Sequence, residues 1–264
     1  MLWQEMSRPQ IQAVDKNLPV VLPLGSCEQH GTHLPLFVDS MQLDAIVSRV
    51  ESALTDKVLT LPTLWLGSSH HHLDFPGTIS VKPVLYTQML IDAVQCIVKA
   101  GFGRILLLNG HGGNKAPANV ALQQLAIEDD NADGKLLALA SWWELSSQQI
   151  TQKKMQTKQR SVAHAAEFET SIMLAIRPDL VDMSKAQDGP SVIDTDWIRT
   201  SDPQSDRVSI FARFHRFTAS GSMGWPTQAD ADKGKRMVEG VANDVIDFLG
   251  DFAAYPLLEK LGPG

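Results

Sequence analysis

Residues 20–39 read VVLPLGSCEQHGTHLPLFVD, and this stretch decides the fold class. Its first part, Val20–Gly25, is a continuous apolar run that ends at a glycine, as buried strands of parallel sheets tend to do. The same pattern occurs in Ile105–Gly110 (ILLLNG), and Lys135–Trp143 (KLLALASWW) is a third candidate. Together these runs predict an α/β fold with a mostly parallel central sheet.

Apolar residues at helical spacing lie between these runs. They recur from Met41 to Leu54 and from Val84 to Ile97. Strands that alternate with helices predict βαβ units with right-handed crossovers. Later in the chain, Phe168–Ile176 and Gln228–Leu249 are predicted to be helices, and the alternation in Val208–Phe217 predicts a strand.

Two polar stretches, Glu144–Val162 and Asp182–Asp206, are predicted to be long loops. Loops of that length in a compact domain are more often functional than accidental. The sequence shows no internal repeat and no linker that would mark a boundary. Residues 1–264 are therefore predicted to form a single domain, although two would be possible on length alone.

The composition narrows the class of protein. Hydrophobic residues make up 44% and charged residues 20%, which is typical of a globular protein. A net charge of -7 disfavours non-specific binding to nucleic acid or to anionic lipid. The sequence shows neither a signal peptide nor an apolar run near the roughly 20 residues that span a bilayer. With only two cysteines, it predicts a cytoplasmic protein without nucleic-acid or membrane partners.

The residues after the first predicted strand carry the first chemical motif. In open α/β sheets, ligands bind at the carboxyl ends of the strands. Glu28 and His30 are two residues apart, so their side chains share one face of an extended segment. Asp39 follows at the start of a predicted helix, where it is either an N-cap or a metal ligand. Its closeness to Glu28, His30 and His33 favours the metal ligand.

Asn109–Asn114 (NGHGGN) follows the second predicted strand and places His111 at the same edge. Gly112 and Gly113 allow the backbone to approach a bound substrate closely. A phosphate-binding turn is the alternative, but the segment matches neither G-x-G-x-x-G nor a P-loop.

Two further segments contribute histidines and carboxylates. In Ser68–Thr78 (SSHHHLDFPGT), His72 is the functional candidate, and His70 is interpreted as part of a polar loop. His164–Ser171 (HAAEFETS) supplies His164, Glu167 and Glu169 near a predicted helix start, where carboxylates also serve as ordinary helix-dipole partners. The combined nitrogen and oxygen ligands suit zinc, manganese or iron.

These segments resemble the creatininase (creatinine amidohydrolase) family. The resemblance rests on matches in the family order to Gly25–Asp39, His72–Thr78, Asn109–Asn114, His164–Ser171 and Gly221–Ala229 (GSMGWPTQA). It implies a single three-layer α/β/α domain, a binuclear metal site and a homo-oligomer, often a hexamer. The expected cofactors are two divalent ions, zinc first, with manganese or iron as alternatives.

The resemblance also implies roles for individual residues. Glu28 and His111 are expected to bind one metal, His30 the other, and Asp39 both, while His164 is expected to transfer protons. Gly113 stands where creatininase proper has a glutamate ligand, so the second metal is either weakly bound or completed by Glu167 or Glu169. Glu167 is the first choice as the metal ligand, and Glu169 is also a catalytic candidate. Substrate-binding residues are expected at His72, Gly112, Gly113, Trp142 and Trp143, although packing in the core is an equal interpretation for at least one of the two tryptophans.

The predicted function is therefore metal-dependent hydrolysis of a non-peptide C–N bond in a small amide, cyclic amide or formamide. A metal-bridging hydroxide would be the nucleophile. Gly113 argues against creatinine itself as the substrate. The alternatives are a peptidase or deformylase of a larger substrate, and a Rossmann-like ligand-binding protein without catalytic activity.

Overall fold

The predicted apolar runs form the sheet. The computed structural model describes residues 1–146, 155–200, 202–203 and 206–258. Its named strands are all parallel and follow the order β2-β1-β3-β4. Their bounds are β1 Val20–Leu24, β2 Leu59–Thr60, β3 Arg104–Asn109 and β4 Leu136–Ser141. The first, third and fourth are the strands predicted from sequence, and the two-residue β2 is too short to give a sequence pattern.

Alternate residues of each strand point into two separate hydrophobic clusters. In β1, Val20 and Leu22 belong to one cluster and Val21 belongs to the other. In β3, Ile105 and Leu106 are divided in the same way. Both faces of the sheet are therefore buried, which explains why its strands are continuous apolar runs.

Helices cover both faces of the sheet. Side chains of α3 and α4 pack in the cluster on one face, and side chains of α2, α6 and α7 pack in the cluster on the other. The architecture is thus the expected three-layer α/β/α arrangement. The helix bounds are α1 Arg8–Ala13, α2 Val38–Ala53, α3 Pro83–Lys99, α4 Lys115–Glu128, α5 Trp142–Leu145, α6 Glu167–Ile176 and α7 Ala231–Ala254.

The strand predicted at Val208–Phe217 is wrong. The segment is irregular except for a 3-10 turn at Phe214–Arg216. Among the described residues, its alternating pattern has no neighbouring strand to pair with, and Phe211 is 94% exposed. The predicted loop Asp182–Asp206 is irregular where it is described, with a 3-10 turn at Met183–Lys185. Of the other predicted loop, residues 147–154 lie outside the described residues.

The parallel sheet brings the chemical motifs together. Glu28 and His30 follow β1, and His111 follows β3 at the same edge. An isolated antiparallel bridge pairs Cys27, in the segment after β1, with Ile79, which directly follows the segment Ser68–Thr78 with its three histidines. Among the described residues, no helix has both the length and the apolar character needed to cross a membrane.

Candidate metal centre

Asp39 lies between two histidines. The N-cap residue of α2 is Phe37, so Asp39 is not the cap that its position in the sequence also allowed. Its side chain is buried, with Oδ1 3.2 Å from Nε2 of His30 and Oδ2 3.1 Å from Nδ1 of His111. The hydroxyl of Ser26 donates a hydrogen bond to Oδ2 at 2.5 Å. One carboxylate thus has a different oxygen facing each of two imidazole rings.

Glu28 and His111 form the first ligand group around Asp39. Oε2 of Glu28 lies 3.3 Å from Nδ1 of His111, and this buried oxygen has no hydrogen-bond partner. The ring of His111 has its other nitrogen, Nε2, 3.3 Å from the carbonyl oxygen of Ser68. We assign the proton to Nε2, because a carbonyl oxygen can only accept. Nδ1 then faces both carboxylates and is the nitrogen that a metal would bind.

His30, Asp39 and Glu169 form the second ligand group, and one candidate ligand atom from each lies within 4.8 Å of the others. Nδ1 of His30 lies 3.2 Å from the carbonyl oxygen of Glu28, which assigns the proton to Nδ1. Nε2 therefore faces the carboxylates, 3.8 Å from Oε2 of Glu169. A backbone carbonyl holding the outer nitrogen of a histidine is the usual arrangement around a protein-bound metal.

Glu167 lies apart from this group. Its Oε1 forms an ion pair with Nζ of Lys233 at 2.9 Å, and its Oε2 accepts hydrogen bonds from the backbone N–H groups of Lys158 and Gln159. Side chains two positions apart on a helix point in different directions. For this reason α6 directs Glu169 toward His30 and Glu167 toward α7. Of the two glutamates, the structure brings only Glu169 into the described ligand groups.

Gln29 connects the two remaining histidines that were expected at the site. Its Nε2 lies 2.9 Å from Nδ1 of His72, 2.9 Å from Nε2 of His164 and 3.1 Å from the carbonyl oxygen of Gly221. Nε2 of His164 lies 2.9 Å from the backbone carbonyl oxygen of Gln29. We assign the proton of His164 to Nε2, because a carbonyl oxygen can only accept. Nδ1 of His164 then faces Glu28 Oε1 at 3.7 Å, and Nε2 of His72 faces the same oxygen at 3.5 Å.

The three consecutive histidines have different surroundings. His70 bonds to the hydroxyl of Ser80, which fits the polar loop expected for it. His71 stacks on His111 with ring centroids 5.7 Å apart, and it joins a possible ligand group with Glu28 and His111. Sequence reasoning missed both His71 and Gln29. Gln29 could have been suspected from its place between two candidate ligands, whereas a run of histidines does not show which ring turns inward.

The site opens into a cavity of about 450 Å³, and the residues expected to contact substrate are placed unevenly around it. His72, Gly112 and Trp143 line this cavity. Trp142 is 1% exposed and packs in the hydrophobic core, which is the alternative that the sequence left open for one of the two tryptophans. Gly113 lines a second, adjoining cavity instead. A Cβ there would collide with the carbonyl oxygen of Ser68, so this position has no room for the expected glutamate side chain.

The buried charges favour a cation. Burial disfavours the imidazolium form of His30, but Asp39, Glu169 and Glu28 outweigh it and raise the pKa of His30 to about 9. Burial also disfavours the charged form of His111. The carboxylates of Glu28 and Asp39 outweigh this effect, so the pKa of His111 lies well above its usual value. Burial raises the pKa of Glu169 to about 7, an effect that His30 partly offsets.

By contrast, burial, together with the charge of His30, holds the pKa of His164 well below its usual value. Burial likewise lowers the pKa of His33 to about 4, and the ring bonds to the hydroxyl of Thr170 instead of joining the ligand groups.

The ligand set fits a pair of divalent metals. The unbonded Glu28 oxygen, the inward lone pairs of the two histidines and the central Asp39 supply the nitrogen and oxygen donors that zinc and manganese accept. A cation between these groups would supply the positive charge that the high pKa values of His30 and His111 show the site to favour.

Known proteins resemble this chain in sequence and in fold. The sequence model of the creatininase family, described as creatinine amidohydrolase, matches residues 4–249. A creatinine amidohydrolase from Pseudomonas putida is 27% identical over 239 residues, covering 86% of this chain and 87% of that protein. A mycofactocin precursor peptide peptidase from Mycobacterium ulcerans (strain Agy99) is 26% identical over 244 residues, covering 90% and 86%. A crystal structure of creatinine amidohydrolase (creatininase) has a TM-score of 0.74 at 25% identity and covers 95% of this chain and 96% of that one.

Proposed function

Because the chain belongs to the creatininase family and is a hydrolase of that family, we propose that it hydrolyses a C–N bond in an amide, cyclic amide or formamide with two divalent metal ions. The position of Asp39 carries this proposal. A buried carboxylate with one oxygen toward His30 and the other toward His111 is arranged to bridge two cations. The bound metals would polarise the substrate carbonyl and lower the pKa of water.

Each metal has its own set of candidate ligands in addition to Asp39. Glu28 and His111 would hold one ion, and His30 and Glu169 would hold the other. Glu169 would supply the carboxylate ligand that creatininase proper takes from a glutamate at the position of Gly113. Glu167 is not a metal ligand in this assignment, because its carboxylate is already paired with Lys233.

His164 is the proposed proton carrier. Its Nε2–H is held by the carbonyl oxygen of Gln29, so the basic Nδ1 faces the cavity. A pKa below the usual value keeps the ring neutral, and once protonated the ring would readily give its proton to the leaving nitrogen. The ring of Phe214 packs against His164 and His72 at centroid distances of 4.7 and 4.2 Å and shields them from water.

The other residues around the cavity would hold the site and the substrate. His72 faces Glu28 and is fixed by Gln29, so we propose that it positions the metal ligand Glu28 rather than contacting substrate. Trp143 and the backbone at Gly112 remain the proposed substrate contacts. Lys115 and Glu144 form an ion pair at the same cavity and would limit the entry of charged substrates.

The choice of metal also belongs to the proposal. Creatininase structures are known in a manganese form and in a zinc–zinc form. The mixed nitrogen and oxygen ligands here suit both ions, and we propose zinc first, with manganese or iron as alternatives. A cytoplasmic homo-oligomer, such as a hexamer, is proposed on the family resemblance.

A peptidase is the second candidate function. The relative from Mycobacterium ulcerans is named a peptide peptidase. In addition, a second and larger cavity of about 880 Å³ adjoins the metal cavity, which would give a longer substrate room. The chemistry at the metals would be the same, because a peptide is also an amide.

Hydrolysis of a panel of lactams, formamides and short peptides, in the presence of zinc, manganese or iron, tests the proposal. We expect metal-dependent turnover of at least one class, and the class identifies the function. Glu28→Ala and His111→Ala should lose both metal and turnover. As a control, Ala126→Ser changes an exposed residue of α4 outside the cavity and should retain both. Full metal content in Glu28→Ala or His111→Ala would show that the ligand assignment is wrong.

A further inference from the structure

The larger cavity lies beside the metal cavity and shares part of its wall. Both are lined by His71, Gly112, Pro203, Phe214 and Met223. At Gly112 an added Cβ would meet nothing within 4 Å, so the space next to this shared residue is open. A substrate held at the metals could therefore extend past Gly112 into the larger cavity.

The chemistry of the larger cavity is mainly apolar. Its wall includes Ile193, Ile198, Ile210 and Phe217, supplied by the loop Asp182–Asp206 and by the irregular segment that follows it. At about 880 Å³, it is within the size range of cavities that bind drug-sized molecules. Such a volume is far larger than a small cyclic amide requires.

The charged residues around this cavity already have partners. The guanidinium of Arg213 pairs with Asp74 at 3.0 Å, and that of Arg199 lies 3.6 Å from Asp196. The carboxylate of Asp206 accepts a hydrogen bond from the backbone N–H of Arg199 at 2.7 Å. An uncharged occupant is therefore favoured, because a charged one would have to compete for these groups.

From these observations we infer that the larger cavity is a substrate subsite, and that the natural substrate is an amide carrying an extended, uncharged, apolar substituent. The inference rests on the proposed metal centre, which would hold the scissile carbonyl in the smaller cavity. It deepens the proposed function by excluding compact molecules of the size of creatinine as the best substrates.

Alkyl hydroxamic acids test this inference without requiring the substrate. The head group chelates the metals and the tail reports on the apolar cavity. We propose calorimetric titration of the zinc-loaded full chain with acetohydroxamic, hexanohydroxamic and octanohydroxamic acids. We expect the affinity to rise by about fourfold for each methylene that becomes buried. An affinity that does not depend on the length of the alkyl tail overturns the inference. A second copy of the protein that closes the cavity would give the same result.

Ala116→Phe provides the decisive variant. Ala116 is an exposed residue of α4 that lines the larger cavity but not the metal cavity, so a phenyl ring there would occupy the subsite without disturbing the core. It should lower the affinity for octanohydroxamic acid at least tenfold and leave acetohydroxamic acid unchanged. Ala126→Phe makes the same change at an exposed position of α4 that lines neither cavity and should behave like the parent.

The outcomes separate this inference from the proposed function. If acetohydroxamic acid binds and Ala116→Phe has no selective effect on the long tail, the subsite is wrong and the metal centre stands. If acetohydroxamic acid does not bind, the metal centre is contradicted. The subsite is then judged by titrating octanamide alone, which must bind the parent and Ala126→Phe more tightly than Ala116→Phe.

Discussion

Asp39 shows how a residue near the start of a helix becomes the centre of a site. The sequence allowed it to be either a cap or a ligand, and the helix begins early enough to turn its carboxylate inward. The neighbouring His30 and His111 hold the pKa of Asp39 below its usual value, against the effect of burial. Burying an anion is costly without positive groups close to it, and a metal between the two histidines would supply such a charge.

The two glutamates of α6 give the first prediction. Glu169→Gln should lose the second metal, because it removes a charged ligand from the group with His30 and Asp39. Glu167→Gln should keep both metals, since its carboxylate pairs with Lys233. Metal content per chain after dialysis, measured by plasma mass spectrometry, distinguishes them. A metal lost from Glu167→Gln but retained in Glu169→Gln would reverse the assignment.

Gly113 and Gly112 give the second prediction. A Cβ at Gly113 collides with the carbonyl oxygen of Ser68, whereas a Cβ at Gly112 meets nothing within 4 Å. Gly113→Ala should lower the free energy of unfolding by about 1–3 kcal/mol through overpacking. Gly112→Ala should change it by no more than about 0.5 kcal/mol. Urea denaturation of both variants checks this, and equal stability of the two would contradict the described packing.

At this scale the sequence predicted which residues come together better than it predicted the contacts that hold them in place. Glu28, His30 and His111 follow predicted strand ends, so the topology alone brings them together. The tautomers of His72 and His164 depend on Gln29, and the choice between Glu167 and Glu169 depends on the direction of one helix. Such details follow from tertiary contacts, which a single sequence does not show.

At the scale of elements, buried strands and long helices were predicted well because burial on both faces leaves a strong apolar signal. Val208–Phe217 has a strand-like pattern but no sheet edge to join, so pattern and structure disagree there. Several of its apolar residues instead line the larger cavity. An exposed apolar segment beside a functional site thus imitates the period of a half-buried strand.

The start of α7 gives the third prediction. Asp230 is the N-cap, and its Oδ1 accepts hydrogen bonds from the backbone N–H groups of Asp232 and Lys233, each at 3.0 Å. Asp230→Ala should lower the free energy of unfolding by about 1 kcal/mol at pH 7, whereas Asp230→Asn should cost less. Urea denaturation provides the measurement, and a fully stable Asp230→Ala would contradict the cap.

The pH dependence of this cap has a definite sign. The hydrogen bonds from the backbone N–H groups of Lys233 and Asp232 lower the pKa of Asp230 in the folded chain. Its stabilisation is therefore complete above the ordinary pKa of about 3.9 and is lost as the pH falls through the lower folded value. The difference between the parent and Asp230→Ala should be smaller at pH 3 than at pH 7.

At the scale of the whole molecule, a rigid sheet holds one edge of the site and irregular segments form the other. Glu28, His30 and His111 follow strands, while Phe214 lies in a short 3-10 turn and much of the apolar wall of the larger cavity comes from segments without regular structure. This division lets a shared metal chemistry serve different substrates. It also explains why the family predicts the reaction better than it predicts the substrate.

Metal removal gives the fourth prediction. A ligand that binds only the folded state stabilises it, by about 4 kcal/mol at a thousand times its Kd. Chelation should therefore lower the Tm by roughly 8–12 °C, and zinc or manganese should restore it. Asp39→Ala should show no such response, because the shared ligand is gone. A Tm of the parent that is insensitive to both chelator and metal would contradict metal binding by the folded chain.

Anomalous diffraction from crystals of the manganese-loaded protein tests the central claim most directly. Two peaks per chain are expected, one in contact with Glu28 and His111 and the other in contact with His30 and Glu169, with Asp39 touching both. A single peak, or a peak bound by Glu167 instead of Glu169, would contradict the binuclear centre proposed for this chain.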